Sequence, residues 1–589
     1  MKQLLLLLAP LLGVGLAQSG ADTYVEQVFG DVDTLDPVQA YDTASGGIIE
    51  NVYEPLYGYA GDSVTEYEPR LATDYTVSED NLTYNFTLRE GVTFHSGNAF
   101  SCKDVEYSYQ RALVINPADS GAWILMEPLT GYYSDANTEL GEGASDQEYA
   151  DFYATIDGSV ECPDGPDGLT VQFNLAQVDP AFFAKSIFYA ANIVDSAWAV
   201  ENGMWDGTEA TWRDWIGVDL REHYLHTNMS GTGAYRLVNW AVGDRVVAEA
   251  NPDYWGGAPS IQNVQIQVVE DQAARILAIQ QGDADVLNNG YLDRAAIPQV
   301  QGSPGVVIYD AATDPDLGWS SVAVNTIAMN QNLTAENNPN IGSGQLDGQG
   351  IPADFFSDVN VRKCFAYSFD YDAFINQVLQ GQGIPLTMAL PPSYLGYDPE
   401  VPTYTFDQAA AEAACQAAWD GQVWENGFTL TAAYNTGNSV RQAALEILKS
   451  NLEFLNPKFR VEVRGIAWPD FLDQRSQGLV PVSIAAWVPD YADPDNYIHT
   501  FYAEGGYYAD QANFANAEIT ELDQQARTSV DEAERVELYS QIGNLAYEAA
   551  AYVLIPSSVP FITARDNIEG IYLNPMYSGG FLWKDITKG

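Results

Sequence analysis

The segment VSIAAWVPDYADPDNY, residues 482–497, places Trp487, Asp490, Tyr491, Asp493 and Asp495 close together. An aromatic face beside a carboxylate suits a cationic or hydroxyl-bearing ligand, because ring and carboxylate both attract positive charge and the carboxylate also accepts hydrogen bonds. Trp487, Asp490 and Tyr491 are therefore the candidate ligand-binding residues, and Asp493 is expected to be a solvated loop acid. The same spacing fits an acidic surface loop, so the position in the fold must decide.

Other candidate chemistry is weaker. His223 and His226 are three apart, which can put two imidazoles on one helical face for a metal, but no third ligand lies near them in sequence. His95, in GVTFHSG, reads as a turn residue, and the GTG of GTGAYRL lacks the surrounding pattern of a phosphate loop. A secreted hydrolase is the alternative from another class. Pairs such as Asp493 and Asp495 arise by chance among 81 acidic residues, and neither GxSxG nor HExxH occurs. No enzymatic activity, metal or cofactor is expected.

The elements that position the cluster can be read from periodicity. In VQIQVVEDQAARILAIQQGDADVL, alternation at Val264, Ile266 and Val268 gives way to a helix begun at Asp271 and ended at Gly282, then to a short apolar run. A parallel crossover fits. A second unit has a helix face at Val440, Ala444, Leu448, Leu452 and Leu455, a strand through Phe459, Val461 and Val463, a short helix after Pro469 and a strand over 482–487. These units are far apart, so the chain is α/β with at least two lobes, each with its own open sheet. Asp490 then falls beyond the carboxyl end of a strand, where open α/β sheets bind ligands. Nearer the N-terminus, strands at 82–88 and 169–175 flank a helix that Ser101 and Asp104 cap.

Composition bounds the rest. The 589 residues are 46% hydrophobic and 18% charged, enough for packed cores. A formal charge of -56 repels phosphate backbones and excludes nucleic-acid binding; it fits solvation in a salty or harsh exterior. Lys2, the apolar run Leu4 to Leu16 and Ala17 read as a signal peptide over 1–17, with the mature chain starting at Gln18. That run is too short to span a bilayer, and no cysteine follows it directly to take a lipid anchor. The expectation is an extracytoplasmic, soluble product. Cys102, Cys162, Cys364 and Cys415 allow three pairings, of which Cys102 with Cys162 and Cys364 with Cys415 close the shortest loops.

Five blocks in order carry a family resemblance: residues 33–59, DTLDPVQAYDTASGGIIENVYEPLYGY; the stretch PRLATDYTVSEDNLTYNFTLREGVTFHSGNAFSCKDVEYSYQRAL; GTGAYRLVNW with NPDYWGGAP; VNVRKCFAYSFDYDAFINQVLQGQG; and AAWVPDYADPDNY. The chain resembles the family 5 extracellular solute-binding proteins of ABC importers, the dipeptide- and oligopeptide-binding type. The resemblance implies a bilobal clamshell that closes on its ligand and delivers it, as a monomer, to membrane permease subunits. It implies domain I over 18–60, 181–290 and 556–589, an inserted domain II over 61–180, and domain III over 291–555. It also implies that Asp490, three positions after Trp487, pairs with a peptide's α-ammonium. Dipeptide binders carry an arginine before the helix that starts near Val440; AAYNTGNS has none, and Arg441 lies inside that helix. This leaves a longer peptide or a neutral oligosaccharide open as ligands.

Overall fold

The structure, a computed structural model, describes residues 22–529 and 531–589. The signal peptide and Gln18 lie outside the described residues. Three sheets organise the chain. The first has seven strands, in the spatial order Val306–Asp310, Phe561–Arg565, Val286–Leu287, Thr23–Val28, Asn263–Val268, Arg245–Ala250 and Tyr235–Ala241. The second has five, in the order Phe459–Ile466, Phe428–Asn435, Val482–Trp487, Val324–Met329 and Tyr552–Ile555. The third has four antiparallel strands, Ala72–Val77, Thr83–Leu88, Thr170–Asn174 and Val160–Glu161.

The two crossover units share a plan. Helix Gln272–Gln281, capped by Asp271 and stopped at Gly282, carries the chain from Asn263–Val268 to Val286–Leu287. Both strands pair in parallel with Thr23–Val28, which lies between them. In the second lobe, Phe428–Asn435 is the middle strand, parallel to Phe459–Ile466 on one side and to Val482–Trp487 on the other. Helix Ser439–Leu455 buries Ala444, Leu445, Leu448 and Leu452. The edge strand Val306–Asp310 joins the first sheet although it lies beyond the expected boundary at 290. The chain passes between the two large sheets twice, between Asp310 and Val324 and between Ile555 and Phe561.

The inserted four-stranded sheet carries helix Cys102–Ile115, whose start is held by a reciprocal capping box between Ser101 and Asp104. On that helix the Arg111 guanidinium forms a fully buried ion pair with Asp36, anchoring the 33–42 segment that leads into the cleft. The GTG turn is structural. The Gly231 N–H donates to His95 Nδ1 at 3.3 Å, and His95 Nε2 donates to Gly233 O at 3.0 Å, which fixes the neutral tautomer. Burial lowers the His95 pKa to about 4. A Cβ on Gly231 would stand 2.0 Å from the Val52 carbonyl, so only glycine fits there.

Cys102 pairs with Cys162 and Cys364 with Cys415, with Cα separations of 5.8 and 5.2 Å. Each bridge stays within one lobe. Peptide mapping of oxidised protein is expected to return these two bridges and no free thiol; a crosslink between lobes would contradict the pairing. By the chain-entropy argument, closing loops of this length stabilises each unit by up to about 4 kcal/mol.

Candidate functional site

A cleft enclosing about 410 Å³ lies between the first and second sheets. Its second-lobe wall is built at the end of strand Val482–Trp487. There Asn496, in helix Asp495–Tyr502, holds the loop in shape: its Oδ1 accepts from Trp487 Nε1 at 3.0 Å and from the Asp490 N–H at 2.9 Å. Its Nδ2 donates to Asp490 Oδ2 at 2.8 Å. The same oxygen accepts from the Tyr41 hydroxyl of the opposite lobe at 2.9 Å, and Trp123 Nε1 donates to Tyr41 at 3.1 Å. Every hydrogen-bond partner of the Asp490 carboxylate is thus neutral. Burial pushes its pKa up to about 7, with the Asn496 and Tyr41 hydrogen bonds acting in the other direction.

Trp487 and Asp490 line the cleft, and Tyr491 does not. Successive side chains of the loop diverge: Tyr491 is 1% exposed, packs into the hydrophobic core of the first lobe and donates to Asp495 Oδ2 at 3.2 Å. Trp487 is itself enclosed by Tyr41, Tyr507 and Tyr508. It positions the loop as well as lining the cleft.

The expectation that Asp493 is a solvated loop acid is corrected by its ion pair with Arg535, which also donates to the Tyr539 hydroxyl at 2.8 Å. Asp495 begins a helix rather than lying in the loop. Although burial opposes it, the charges of Lys185 and Arg527 hold the Asp495 carboxyl below its usual range. Arg527 also pairs with Glu127 of the first lobe, so this buried network ties the lobes together beside the cleft. His223 caps a short 3-10 turn against Trp215, whereas His226 Nδ1 lies 3.0 Å from Thr34 Oγ1.

Sequence reasoning missed most of the remaining wall. Arg441, near the start of helix Ser439–Leu455, lines the cleft and donates to Asn435 Oδ1 at 2.7 Å. Burial lowers its pKa to about 10, and neighbouring Arg475 adds to the effect. Arg475 is 5% exposed and lies 4.5 Å over the Tyr508 ring. Among the described residues neither arginine forms an ion pair, although acids outnumber bases 81 to 25 in the chain. Trp468 and Arg475 share helix Trp468–Ser476 at a seven-residue spacing, a same-face signal that could have found both. From the first lobe, Asp42 accepts from Trp468 Nε1 at 3.0 Å across the cleft, and Asp293 accepts from Ser439.

Two α/β lobes joined by two crossings, with a charged cleft between them, define a bilobal solute-binding protein. Residues 66–509 match the family described as bacterial extracellular solute-binding proteins, family 5. The chain belongs to that family, whose members bind solutes and are not enzymes. It is 25% identical over 555 residues to a dipeptide-binding protein of Escherichia coli, covering 91% of this chain and 88% of the relative. It is 22% identical over 563 residues to a probable D,D-dipeptide-binding periplasmic protein of the same organism, covering 95% and 93%. A periplasmic binding protein of Helicobacter pylori, solved with the peptide STSA, superposes with a TM-score of 0.73 at 19% identity, covering 96% and 98%. Among the described residues no helix is long and apolar enough to cross a membrane.

Proposed function

We propose that this protein is the extracytoplasmic receptor of an ABC importer and that its ligand is a short zwitterionic peptide. The observation that carries this reading is the presence of opposite, unpaired groups along one wall of the cleft. Asp490 is a buried carboxylate with only neutral partners, while Arg441 and Arg475 are guanidiniums without a carboxylate. A peptide supplies both missing ions, its ammonium to Asp490 and its carboxylate to the arginines. Arg441 and Arg475 thereby take the task of the arginine that AAYNTGNS lacks. A neutral oligosaccharide would leave all three charges uncompensated in a dehydrated site, which is costly. The D,D-dipeptide, dipeptide and STSA named for the relatives agree with a peptide cargo. Mass spectrometry of solute released by denaturing freshly purified protein tests the assignment: a di- to oligopeptide is expected, and a sugar would overturn it.

A pH dependence follows. The Asp490 carboxyl titrates at about 7, so below that pH a cationic ligand must displace its proton. Affinity for a peptide is expected to rise by up to about ten-fold per pH unit from pH 5 to 7 and to level off by pH 8. Because the folded pKa lies above the unfolded value, this group favours the ligand-free fold at low pH and loses that contribution as pH rises through about 7. Calorimetry in buffers of different ionisation enthalpy should register proton release at pH 6. Affinity that is flat with pH would remove Asp490 from the ammonium site.

A further inference from the structure

The peptide reading uses one carboxylate of the cleft, but the first-lobe wall holds four more, Glu26, Asp31, Asp42 and Asp293, of which the first and third are buried. Glu26, in strand Thr23–Val28, and Asp42, the N-cap of helix Thr43–Val52, both line the cleft and are 6% and 7% exposed. Their fields overlap at the Tyr291 hydroxyl, where the Arg275 guanidinium, bound to the Val269, Glu270 and Tyr291 carbonyls, also acts. Among the described residues neither forms an ion pair. Glu26 is satisfied by neutral donors, the Tyr24 hydroxyl at 3.0 Å and Asn288. Asp42 is not fully satisfied. Ala44 N–H, Ser45 N–H and Trp468 Nε1 all donate to its Oδ1, which leaves Oδ2 buried with no partner.

A buried acceptor without a donor is costly, and two carboxylates without a cation are more so. Burial pushes Glu26 up to about 7 and Asp42 to about 6, within reach of ionisation when a positive group arrives. Among the described residues no three acidic, histidine or cysteine side chains converge as a metal site would require. This wall therefore suits an organic cation with several N–H donors. Tyr189 lies within the field of both Asp42 and Asp490, so one extended ligand can serve both.

We propose that the cleft takes a ligand with a second cationic group, an ammonium or guanidinium separate from its α-ammonium, held by Asp42 within the field of Glu26. This rests on the peptide reading above and narrows it to peptides with a basic side chain.

Calorimetry at pH 8 tests it with trialanine, tripeptides carrying lysine or arginine at each position in turn, and spermidine, which has amines but no carboxylate. At least one basic tripeptide is expected to bind about ten-fold or more tightly than trialanine, a difference of about 1.4 kcal/mol. Asp42→Asn keeps a good helix cap and should shrink that advantage to about two-fold. Glu26→Gln, which still accepts from Tyr24, should shrink it too. Equal affinities for trialanine and every basic peptide would overturn the proposal and leave the peptide reading standing. So would an advantage that survives both substitutions. Spermidine binding with no peptide binding would support the two-cation site and overturn the peptide reading, whereas binding of no probe would overturn both.

Discussion

Asp490→Asn is expected to weaken peptide binding by about 2–5 kcal/mol, because it leaves a buried ligand ammonium with only neutral partners. The fold should survive, since Asn496 and the Tyr41 hydroxyl still meet an amide of the same shape. At pH 8 the variant should melt no lower than the native protein, in which an ionised carboxylate is held against burial. That combination separates a ligand contact from a structural part. If the ligand were neutral, the loss should be nearer 1 kcal/mol. Trp487→Ala is a poorer probe, because it also removes the indole N–H that steadies Asn496. A negligible loss at Asp490 with identified ligand would move the site elsewhere in the cleft.

Arg527→Met should disfavour the closed form by about 3–5 kcal/mol, since it strands Glu127 as a buried charge and deprives Asp495 of one of its cations. Opening the lobes lets water reach Glu127. The loss should therefore appear as weaker ligand binding, by about 100- to 4,000-fold, with a larger radius of gyration in scattering, and not as global unfolding. Adding Glu127→Gln should recover much of the affinity, because the stranded charge is gone, while Lys185 still faces Asp495. Unchanged affinity and unchanged radius in Arg527→Met would show that this network does not hold the lobes.

Periodicity exposed those elements whose cores are local. The alternations at Val264–Val268, Phe459–Val463 and Leu82–Leu88 became strands, and Asp271, Gly282 and Ser101 bound helices as their side chains or backbone freedom require. That Trp487 and Asp490 line the cleft was legible because they lie at a strand end that any open α/β sheet turns into a crevice. Tyr491 could not be separated from them by spacing, because the direction of a loop side chain is set by what it packs on, here the core of the other lobe. Asp42 shows the opposite difficulty. In sequence it is an ordinary N-cap before Thr43, and only the fold brings Trp468, 426 positions away, against its carboxylate. Glu26 alternates within a strand and shows no sign that its side of the sheet lines a ligand chamber. Arg475 is one basic residue on a short helix, and its lack of a partner appears only in three dimensions.

The unneutralised walls of the cleft also bear on how faithfully the receptor reports. A transporter that recognises the outline of two closed lobes has no view of what lies between them. Were closure easy without cargo, empty receptors would give false signals and trigger wasted cycles of transport. Here, closing without cargo brings Asp42, Asp490 and Arg441 into a dehydrated chamber where, among the described residues, none of them forms an ion pair. The cargo's own ions lift that penalty, so the shape offered to the transporter carries information about occupancy.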